Sequence, residues 1–191
     1  MRCAALLTPG AGAGRDHPAL VAIEEALAPE GIVVERMDFP YRRAGRRTPD
    51  RPEVLVNAVR DGAAQLAART GLPGTAIVLG GRSMGGRMCS VAVAEGLPAL
   101  GLALVSYPLH PPGKPERRRA EHFLDLTVPC LFVSGTRDAF ATPAELEEAK
   151  AAIPAPVTTV LLDGGDHGLR GKDGMVAGAV RDWVLALTAG A

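Results

Sequence analysis

The stretch Ala-Ile-Val-Leu-Gly-Gly-Arg-Ser-Met-Gly-Gly, residues 76–86, sets the fold of this chain. Its first five residues, 76–80, form a short apolar run with two β-branched side chains, which predicts a buried strand. A helical pattern follows over residues 84–95. Between strand and helix, residues 81–85 match the pattern G-x-S-x-G, in which a serine stands on a sharp turn. The glycines on both sides leave room for that turn and place Ser83 at its tip.

Strand-like and helical segments alternate outward from this turn in both directions. Short apolar runs predict five further strands, at residues 3–7, 32–39, 99–107, 129–134 and 157–162. Helical periodicity fills the intervals, and Thr142 with Glu145 forms a capping box that opens one of the helices. Near-continuous apolar strands are buried on both faces. The series therefore predicts an α/β chain with a mostly parallel six-stranded sheet, helices on both faces, and a single domain over residues 1–191.

Charge and composition exclude several classes of protein. The chain carries 21 Lys and Arg against 21 Asp and Glu, so we expect no nucleic-acid partner and no membrane association. No apolar stretch reaches the roughly 18 residues of a membrane helix, and the apolar run at the start is too short for a signal peptide. The three cysteines, without metal-ligand spacing, are typical of reduced core thiols. These features predict a soluble, cytoplasmic protein that binds no metal.

Two clusters of arginine interrupt the balanced composition. They are formed by Arg42, Arg43, Arg46 and Arg47, and by Arg117, Arg118 and Arg119. Such runs are usually the solvated face of a loop. The alternative is a positively charged rim that attracts acidic substrates or partners.

Functional side chains are expected at one edge of the sheet. In a doubly wound parallel sheet, ligands bind beyond the carboxyl ends of the strands. The residues that directly follow predicted strands are loop 10–14, Ser83, residues 107–110, Asp138, and residues 163–167. These segments therefore hold the candidate site.

Ser83 needs a base, because a serine hydroxyl is a weak nucleophile until a neighbour takes its proton. Of the four histidines, His167 follows the last strand in a Gly-rich loop, where it can reach the carboxyl edge. His17 stands near the start of the first helix, which favours a capping role or contact with solvent. His110 and His122 fall in an irregular segment. His167 is therefore the predicted base.

The base in turn needs an acid that holds one tautomer of the imidazole. Asp138 follows the fifth strand, and its place gives the chain order Ser, Asp, His that accompanies this serine turn. Asp163 and Asp166 are rivals, but their closeness to His167 in sequence suits them to hydrogen bonds within the loop. Asp138 is therefore the predicted acid.

A carbonyl under attack develops an oxyanion, which needs backbone N–H donors. One donor is predicted at Met84, directly after the serine, and the other at Ala11 in the Gly-rich loop 10–14. The alternative for this loop is a phosphate-binding turn, but the loop lacks the Gly-Lys-Ser/Thr ending of a P-loop.

Four runs of sequence resemble a known family. They are Pro-Gly-Ala-Gly-Ala-Gly at 9–14, Gly-Gly-Arg-Ser-Met-Gly-Gly-Arg at 80–87, Ser-Tyr-Pro-Leu-His-Pro-Pro-Gly-Lys at 106–114, and Gly-Asp-His at 165–167. The chain resembles the small α/β-hydrolases labelled dienelactone-hydrolase-like, grouped with the testis-expressed and NSL-complex-subunit hydrolase-like proteins. The resemblance implies a compact α/β-hydrolase fold with Ser83, Asp138 and His167 as its triad.

The resemblance also implies pocket residues. Those that would line or support the pocket are Arg82, Arg87, Tyr107 and His110. The substrate contacts predicted for this chain are Arg82, Tyr107, His110 and Gly12. The chain departs from the family at Pro9, where members commonly have His. It also carries a serine where dienelactone hydrolases proper use a cysteine nucleophile, so the family label does not name the substrate.

The expected activity is that of a serine hydrolase, in first place a carboxylesterase for a small-molecule substrate, acting through an acyl-enzyme without a cofactor. Thioesterases and peptidases share the mechanism. A non-catalytic interaction module of the same fold is the other alternative, since some relatives are complex subunits. The short segment 107–128 predicts little or no lid and an open, shallow pocket. Arg82 either favours an acidic or phosphate-bearing substrate or pairs with a structural carboxylate.

Overall fold

One six-stranded sheet organises residues 2–189, the part of the chain that this computed structural model describes. The strands are β1 (Ala4–Thr8), β2 (Val33–Arg36), β3 (Ile77–Arg82), β4 (Gly101–Val105), β5 (Cys130–Gly135) and β6 (Val157–Leu162). They lie in the order β2-β1-β3-β4-β5-β6, and every neighbouring pair is parallel. The sheet is therefore entirely parallel, where the sequence predicted a mostly parallel one.

Helices cover both faces of the sheet. The α-helices of the described residues are α1 (Pro18–Leu27), α2 (Pro40–Arg43), α3 (Pro52–Thr70), α4 (Met84–Ala94), α5 (Pro143–Lys150) and α6 (Asp173–Ala189). Short 3₁₀ turns lie at Ala28–Glu30, Gly74–Ala76 and Glu121–Asp125. Helices α1 and α6 pack together against one face, and α3, α4 and α5 cover the other. The predicted fold class is confirmed.

Successive strand residues contribute to two separate apolar clusters. In β1, Ala5 and Leu7 belong to the cluster under α1 and α6, whereas Leu6 belongs to the cluster under α3 and α4. In β3, Val78 and Leu79 divide in the same way. All five side chains are at most 1% exposed. The strands are thus buried on both faces, as their near-continuous apolar runs predicted.

Two strands end earlier than predicted for local reasons. β4 ends at Val105 because the next residue, Ser106, adopts a left-handed φ of 48°, which breaks the extended backbone. β2 ends at Arg36 because it is an edge strand, and the chain turns at Pro40 into α2, a helix too short to show periodicity. The ends of strands are therefore fixed by backbone turns that apolar patterning does not mark.

Two predicted helix caps are confirmed. His17 accepts a hydrogen bond through Nδ1 from the N–H of Ala19 at 3.2 Å and so caps α1. At the start of α5, the hydroxyl of Thr142 accepts from the N–H of Glu145 at 3.3 Å, and the Glu145 carboxylate accepts the N–H of Thr142 at 2.9 Å. Because His17 is committed to this cap, it lies outside the group of candidate bases.

Cysteine burial and helix hydropathy bear on the expectations from composition. Cys3, Cys89 and Cys130 are buried and form no disulfide. Among the helices that residues 2–189 form, none combines the length and the apolar character needed to cross a membrane. The buried thiols agree with the predicted core cysteines.

Glycines let the loop after β1 press against the turn between β3 and α4. A Cβ at Gly81 would lie 2.1 Å from Thr8 Oγ1, and one at Gly85 would lie 2.5 Å from the same atom. A Cβ at Gly85 would also lie 2.6 Å from the carbonyl oxygen of Pro9. These separations are far shorter than any van der Waals contact, so only glycine fits. The loop that follows β1 therefore lies directly against the turn that carries Ser83.

Gly81→Ala is expected to destabilise the protein by about 3 kcal/mol, because the added methyl group must displace the backbone of β1. Gly178 in α6 is the matched control, since nothing lies within 4 Å of a Cβ added there. Gly178→Ala is expected to stabilise the protein by about 0.5–1 kcal/mol. Urea unfolding of both variants and wild type measures the two changes. A Gly81→Ala variant as stable as wild type would contradict the packing described here.

Candidate active site

Ser83 stands in a strained turn at the carboxyl edge of the sheet. It joins β3 to α4 with φ 51° and ψ −119°, a conformation of the kind that costs a non-glycine residue about 1–3 kcal/mol. The N–H of Ser83 donates to the carbonyl of Val105 in β4 at 2.8 Å, which ties the turn to the neighbouring strand. The predicted turn is present, and its serine is partly exposed.

His167 lies within hydrogen-bond distance of this serine. It belongs to the loop that follows β6, and its Nε2 is 2.8 Å from the Oγ of Ser83. The side chain of His167 is 18% exposed. The imidazole is therefore held mainly by protein groups while one part of it remains open to a reactant.

Asp138 continues the row on the far side of the imidazole. Both of its carboxylate oxygens lie 2.9 Å from His167 Nδ1, and its side chain has no exposed surface. The N–H of Phe140 donates to Asp138 Oδ1 at 2.8 Å, which fixes the carboxylate. With Nδ1–H donated to Asp138, Nε2 presents its lone pair to the Ser83 hydroxyl. Chemically, this row can accept a proton from the serine and stabilise the imidazolium that results.

The rival carboxylates serve the loop itself. Asp166 accepts two backbone N–H groups of its own loop, at 2.8 and 3.0 Å. Asp163 accepts a threonine hydroxyl at 3.4 Å. Neither has a hydrogen bond to His167 within the described part of the chain, so the structure pairs His167 with Asp138.

Two further side chains hold His167 in place. The ring of Phe140 stacks on the imidazole, with centroids 3.9 Å apart and planes 25° apart. Arg82 donates from Nη2 to the carbonyl oxygen of His167 at 2.8 Å. The sequence analysis missed Phe140, for which the only signal was its place two residues after Asp138. Neither role predicted for Arg82 describes this contact, because its partner is a backbone carbonyl.

Of the predicted oxyanion donors, Met84 directly follows Ser83, and Ala11 belongs to the loop that packs beside it. Met84 is the first residue of α4, so its N–H has no partner inside the helix. In the loop after β1, a Cβ added at Gly10 would lie 3.5 Å from the Cβ of Ser83, which places the loop beside the serine. Within residues 2–189 the N–H of Ala11 is not engaged in a hydrogen bond. By contrast, the N–H of Gly12 donates to the hydroxyl of Tyr41 at 3.1 Å and is not free for a substrate.

Two predicted substrate contacts are wrong as side-chain contacts, because Tyr107 and His110 turn into the core. Tyr107 is 1% exposed, and its hydroxyl donates to the carbonyl of Arg119 at 2.9 Å. His110 is 5% exposed, with Nδ1 2.9 Å from its neighbour's carbonyl oxygen and Nε2 3.3 Å from Glu145. Both side chains are therefore enclosed by protein groups and do not face a substrate.

A second serine–histidine contact lies next to the Tyr107 hydroxyl and differs in its chemistry. Ser90 Oγ is 2.8 Å from His122 Nε2, but Ser90 is fully buried and its hydroxyl donates to the carbonyl of Arg87 at 2.8 Å. The hydroxyl proton is therefore committed to a backbone oxygen, and His122 acts as the donor to Ser90. Burial, helped by the nearby Arg87, lowers the pKa of His122 from 6.5 to about 4.

Neutral His122 makes the stability of the fold depend on pH. Below pH 6.5 an unfolded chain protonates this histidine, whereas the folded protein takes up that proton only near pH 4, so stability falls as pH falls. We expect His122 to account for a loss of about 1–2 kcal/mol between pH 7.5 and pH 5. Urea unfolding of wild type and His122→Gln at both pH values isolates this loss. Since burial also lowers the pKa of His17, the test is the difference between the two proteins, and identical pH slopes would contradict it.

Ser83 and His167 are partly exposed, and two cavities lie elsewhere on the molecule. A cavity of about 440 Å³ borders the loop after β1 and is lined by residues 12–17, Asp38 and Arg42. A second cavity, of about 480 Å³, lies between β2 and α3. Neither is lined by Ser83 or His167. The connection from β4 to β5 contains one regular element, the 3₁₀ turn Glu121–Asp125.

Solved structures of other proteins share this architecture. An alpha-beta serine hydrolase homologue from Coxiella burnetii matches with a TM-score of 0.77 at 17% identity, covering 94% of this chain and 84% of that one. Est1E from Butyrivibrio proteoclasticus matches with a TM-score of 0.77 at 16% identity, covering 98% of this chain and 89% of that one. A dienelactone hydrolase from Anabaena variabilis matches with a TM-score of 0.74 at 19% identity, covering 97% of this chain and 86% of that one. At these identities the likeness shows the fold alone.

The sequence provides independent support for the fold. The family described as alpha/beta hydrolase domain matches residues 1–182, a span that contains Ser83, Asp138 and His167. A parallel sheet with a serine on a strained turn between strand and helix is the arrangement typical of that fold. The chain therefore belongs to the alpha/beta hydrolase domain family.

Proposed function

We propose that this protein is a serine hydrolase that works through Ser83, His167 and Asp138. The proposed type is a carboxylesterase for small substrates. The observation that carries the proposal is the unbroken row of hydrogen bonds from Asp138 through the imidazole to Ser83 Oγ, at 2.9 and 2.8 Å. A buried carboxylate, an oriented imidazole and an exposed hydroxyl on a strained turn together have no evident structural purpose. Nucleophilic attack on a carbonyl uses all three.

The reaction follows from these positions. The Oγ of Ser83 attacks the ester carbonyl while Nε2 of His167 takes the hydroxyl proton, and the Asp138 carboxylate stabilises the imidazolium. The N–H groups of Met84 and Ala11 are the donors for the oxyanion, a contribution worth about 10²–10³-fold per donor. The intermediate collapses as His167 protonates the departing alcohol. Water then attacks the acyl-enzyme with His167 as base and releases the acid.

The choice of esters is supported by the partial exposure of Ser83 and by the fold that the chain shares with Est1E and with a serine hydrolase homologue. Thioesters and peptides pass through the same tetrahedral intermediate, so they are included in the test below. The narrower grouping with the testis-expressed and NSL-complex-subunit hydrolase-like proteins remains a prediction, as does a cytoplasmic location. The mechanism uses no cofactor and no macromolecular partner.

Labelling with a fluorophosphonate probe tests the proposal, because such probes react with an activated serine. We expect wild type to be labelled at Ser83, identified by mass spectrometry, and Ser83→Ala to be unlabelled. Ser90→Ala is the matched control, since Ser90 also contacts a histidine at 2.8 Å but is buried and donates its proton elsewhere. Circular dichroism of each variant checks that it is folded.

The proposal fails if folded wild type is not labelled under conditions that label a known serine esterase. That result would favour a non-catalytic interaction module of the same fold. A panel of acyl esters, thioesters and short peptides, each compared with Ser83→Ala, then ranks the substrate classes by kcat/KM. Faster turnover of thioesters or peptides than of esters would replace the esterase assignment while keeping the nucleophile.

A further inference from the structure

Arg87 lies one helical turn after Ser83 and has no partner for its charge. Its backbone N–H donates to the carbonyl of Ser83 at 3.1 Å, as expected for positions i and i+4 of a helix. The Nε of Arg87 is buried and lacks a hydrogen-bond partner in the described part of the chain. No carboxylate of residues 2–189 lies within 4.0 Å of its guanidinium. A half-buried cation with an unsatisfied donor is costly unless something else binds it.

Arg119 is a second half-buried arginine whose charge has no partner among the described residues. Its backbone is fixed on both sides, since its N–H donates to Leu109 at 2.8 Å and its carbonyl accepts from the Tyr107 hydroxyl at 2.9 Å. Its side chain is half-buried and, within the described residues, forms no ion pair or hydrogen bond. Burial lowers the pKa of Arg119, and the charges of Arg87 and Arg117 lower it further. Like charges are therefore held close together without a counter-ion.

Six other arginines form ion pairs with carboxylates within the described residues, whereas the half-buried Arg42 forms none. Those in ion pairs are Arg36, Arg46, Arg60, Arg69, Arg118 and Arg181. Arg118, directly before Arg119, pairs with Glu148 at 2.7 Å. The charge of Glu121 acts to raise the pKa of His122, but Glu121 forms no ion pair with Arg87 or Arg119. Arg87 and Arg119, by contrast, are half-buried and have no ion pair with a carboxylate of residues 2–189.

Arg87 lies on the Ser83 side of α4 by helical register, because residues four positions apart share one face of a helix. Side chains on a helix lean toward its N-terminus, and the N-terminus of α4 is the end that carries Ser83. Arg82, one of the predicted substrate contacts, donates to the His167 carbonyl. Arg87, with the neighbouring Arg119, is therefore the candidate cation for a bound anion.

We infer that Arg87 and Arg119 form an anion subsite beside Ser83, so that the preferred ester carries a carboxylate or phosphate group. This inference rests on the proposed hydrolase function and adds the substrate class. Guanidinium groups bind both anions through charge-assisted, often bidentate hydrogen bonds. The bound anion supplies the acceptors that the Arg87 Nε and its neighbour lack. It also positions the ester carbonyl at the Oγ of Ser83.

Matched pairs of esters test the subsite. The mono-p-nitrophenyl ester of glutaric acid is compared with p-nitrophenyl pentanoate, which has the same chain length without the carboxylate. For the phosphate arm, 2-acetoxyethyl phosphate is compared with 2-acetoxyethanol by acid release. The quantity measured is the ratio of kcat/KM for the charged ester to that for its neutral partner. We expect Arg87→Gln and Arg119→Gln each to lower the ratio by about 10- to 100-fold for the anion that the site takes.

Arg118→Gln is the control, because it removes the same charge from the next residue in the chain but from a guanidinium already paired with Glu148. Its ratios should equal those of wild type. A loss confined to glutarate identifies a carboxylate site, and a loss confined to the phosphate ester identifies a phosphate site. Equal ratios in wild type, Arg87→Gln and Arg119→Gln would overturn the subsite while Ser83 labelling still upheld the hydrolase. Absence of both labelling and turnover would overturn the proposed function together with the subsite.

Discussion

Replacing Ser83 with alanine is expected to lower kcat on p-nitrophenyl acetate by about 10⁶-fold. Without Oγ, His167 has no hydroxyl to deprotonate and no acyl-enzyme forms. The residual rate is what binding and the backbone donors at Met84 and Ala11 provide, about 10³–10⁴-fold over water. Release of p-nitrophenol, corrected for the buffer reaction, measures the loss. A variant that keeps more than about a hundredth of wild-type kcat would mean that another group is the nucleophile.

The same experiment can show that Ser83 and His167 act together. Because the imidazole works by taking the Ser83 proton across 2.8 Å, removing either residue should remove the same step. The double variant Ser83→Ala/His167→Ala is therefore expected to be no slower than Ser83→Ala alone. If the two losses multiply instead, the residues work independently and the hydrogen bond between them is not catalytic.

The row of Ser83, His167 and Asp138 could be predicted because each member lies in the connection that begins at the carboxyl end of a strand. In a parallel sheet all such positions meet at one edge, so three short local patterns suffice to bring residues 84 and 29 positions apart into contact. The glycines around Ser83 were a further signal in the sequence, because they indicate that the loop after β1 packs closely against this turn. Fold class was predictable for the same reason, because buried strands and helices alternate along the whole chain.

Other residues of the site could not be predicted. A position just after a strand places a residue at the carboxyl edge of the sheet, but it does not determine which way the side chain points. Tyr107 and His110 follow β4, yet the left-handed backbone at Ser106 turns them into the core. Phe140 reaches the face of His167 from a different loop, and nothing in its local sequence marks that contact. Arg119 is of interest because it is half-buried and forms no ion pair with the described residues, which only three-dimensional packing reveals.

Backbone strain is concentrated around the same edge. Among residues 2–189, the non-glycine residues with positive φ are Ser83 at 51°, Ser106 at 48° and Leu169 at 49°. Ser83 directly follows β3 and Ser106 directly follows β4, whereas Leu169 comes two residues after His167. Strained residues persist only where surrounding structure holds them, and they gather at functional sites. Their position supports the view that this edge is shaped for a task other than stability.

Asp138→Asn is expected to lower kcat by about 10⁴-fold while leaving the fold intact. The Phe140 N–H donates to Oδ1 of Asp138 at 2.8 Å, and in the variant the amide oxygen keeps that bond. The amide NH₂ then faces His167 Nδ1 as a donor. The imidazole responds by moving its proton to Nε2, where it can no longer accept the proton of Ser83. The loss therefore comes from the wrong tautomer, and thermal unfolding should change far less than activity does.

Asp166→Asn is the matched control, because Asp166 lies next to His167 in sequence but accepts only backbone N–H groups of its own loop. We expect it to retain kcat within about tenfold, since an amide oxygen can accept at least one of those bonds. Steady-state kinetics on p-nitrophenyl acetate compares the two variants directly. The reverse outcome, with Asp166→Asn inactive and Asp138→Asn active, would assign the acid to Asp166. It would also mean that the two 2.9 Å contacts to Nδ1 are not the ones used in catalysis.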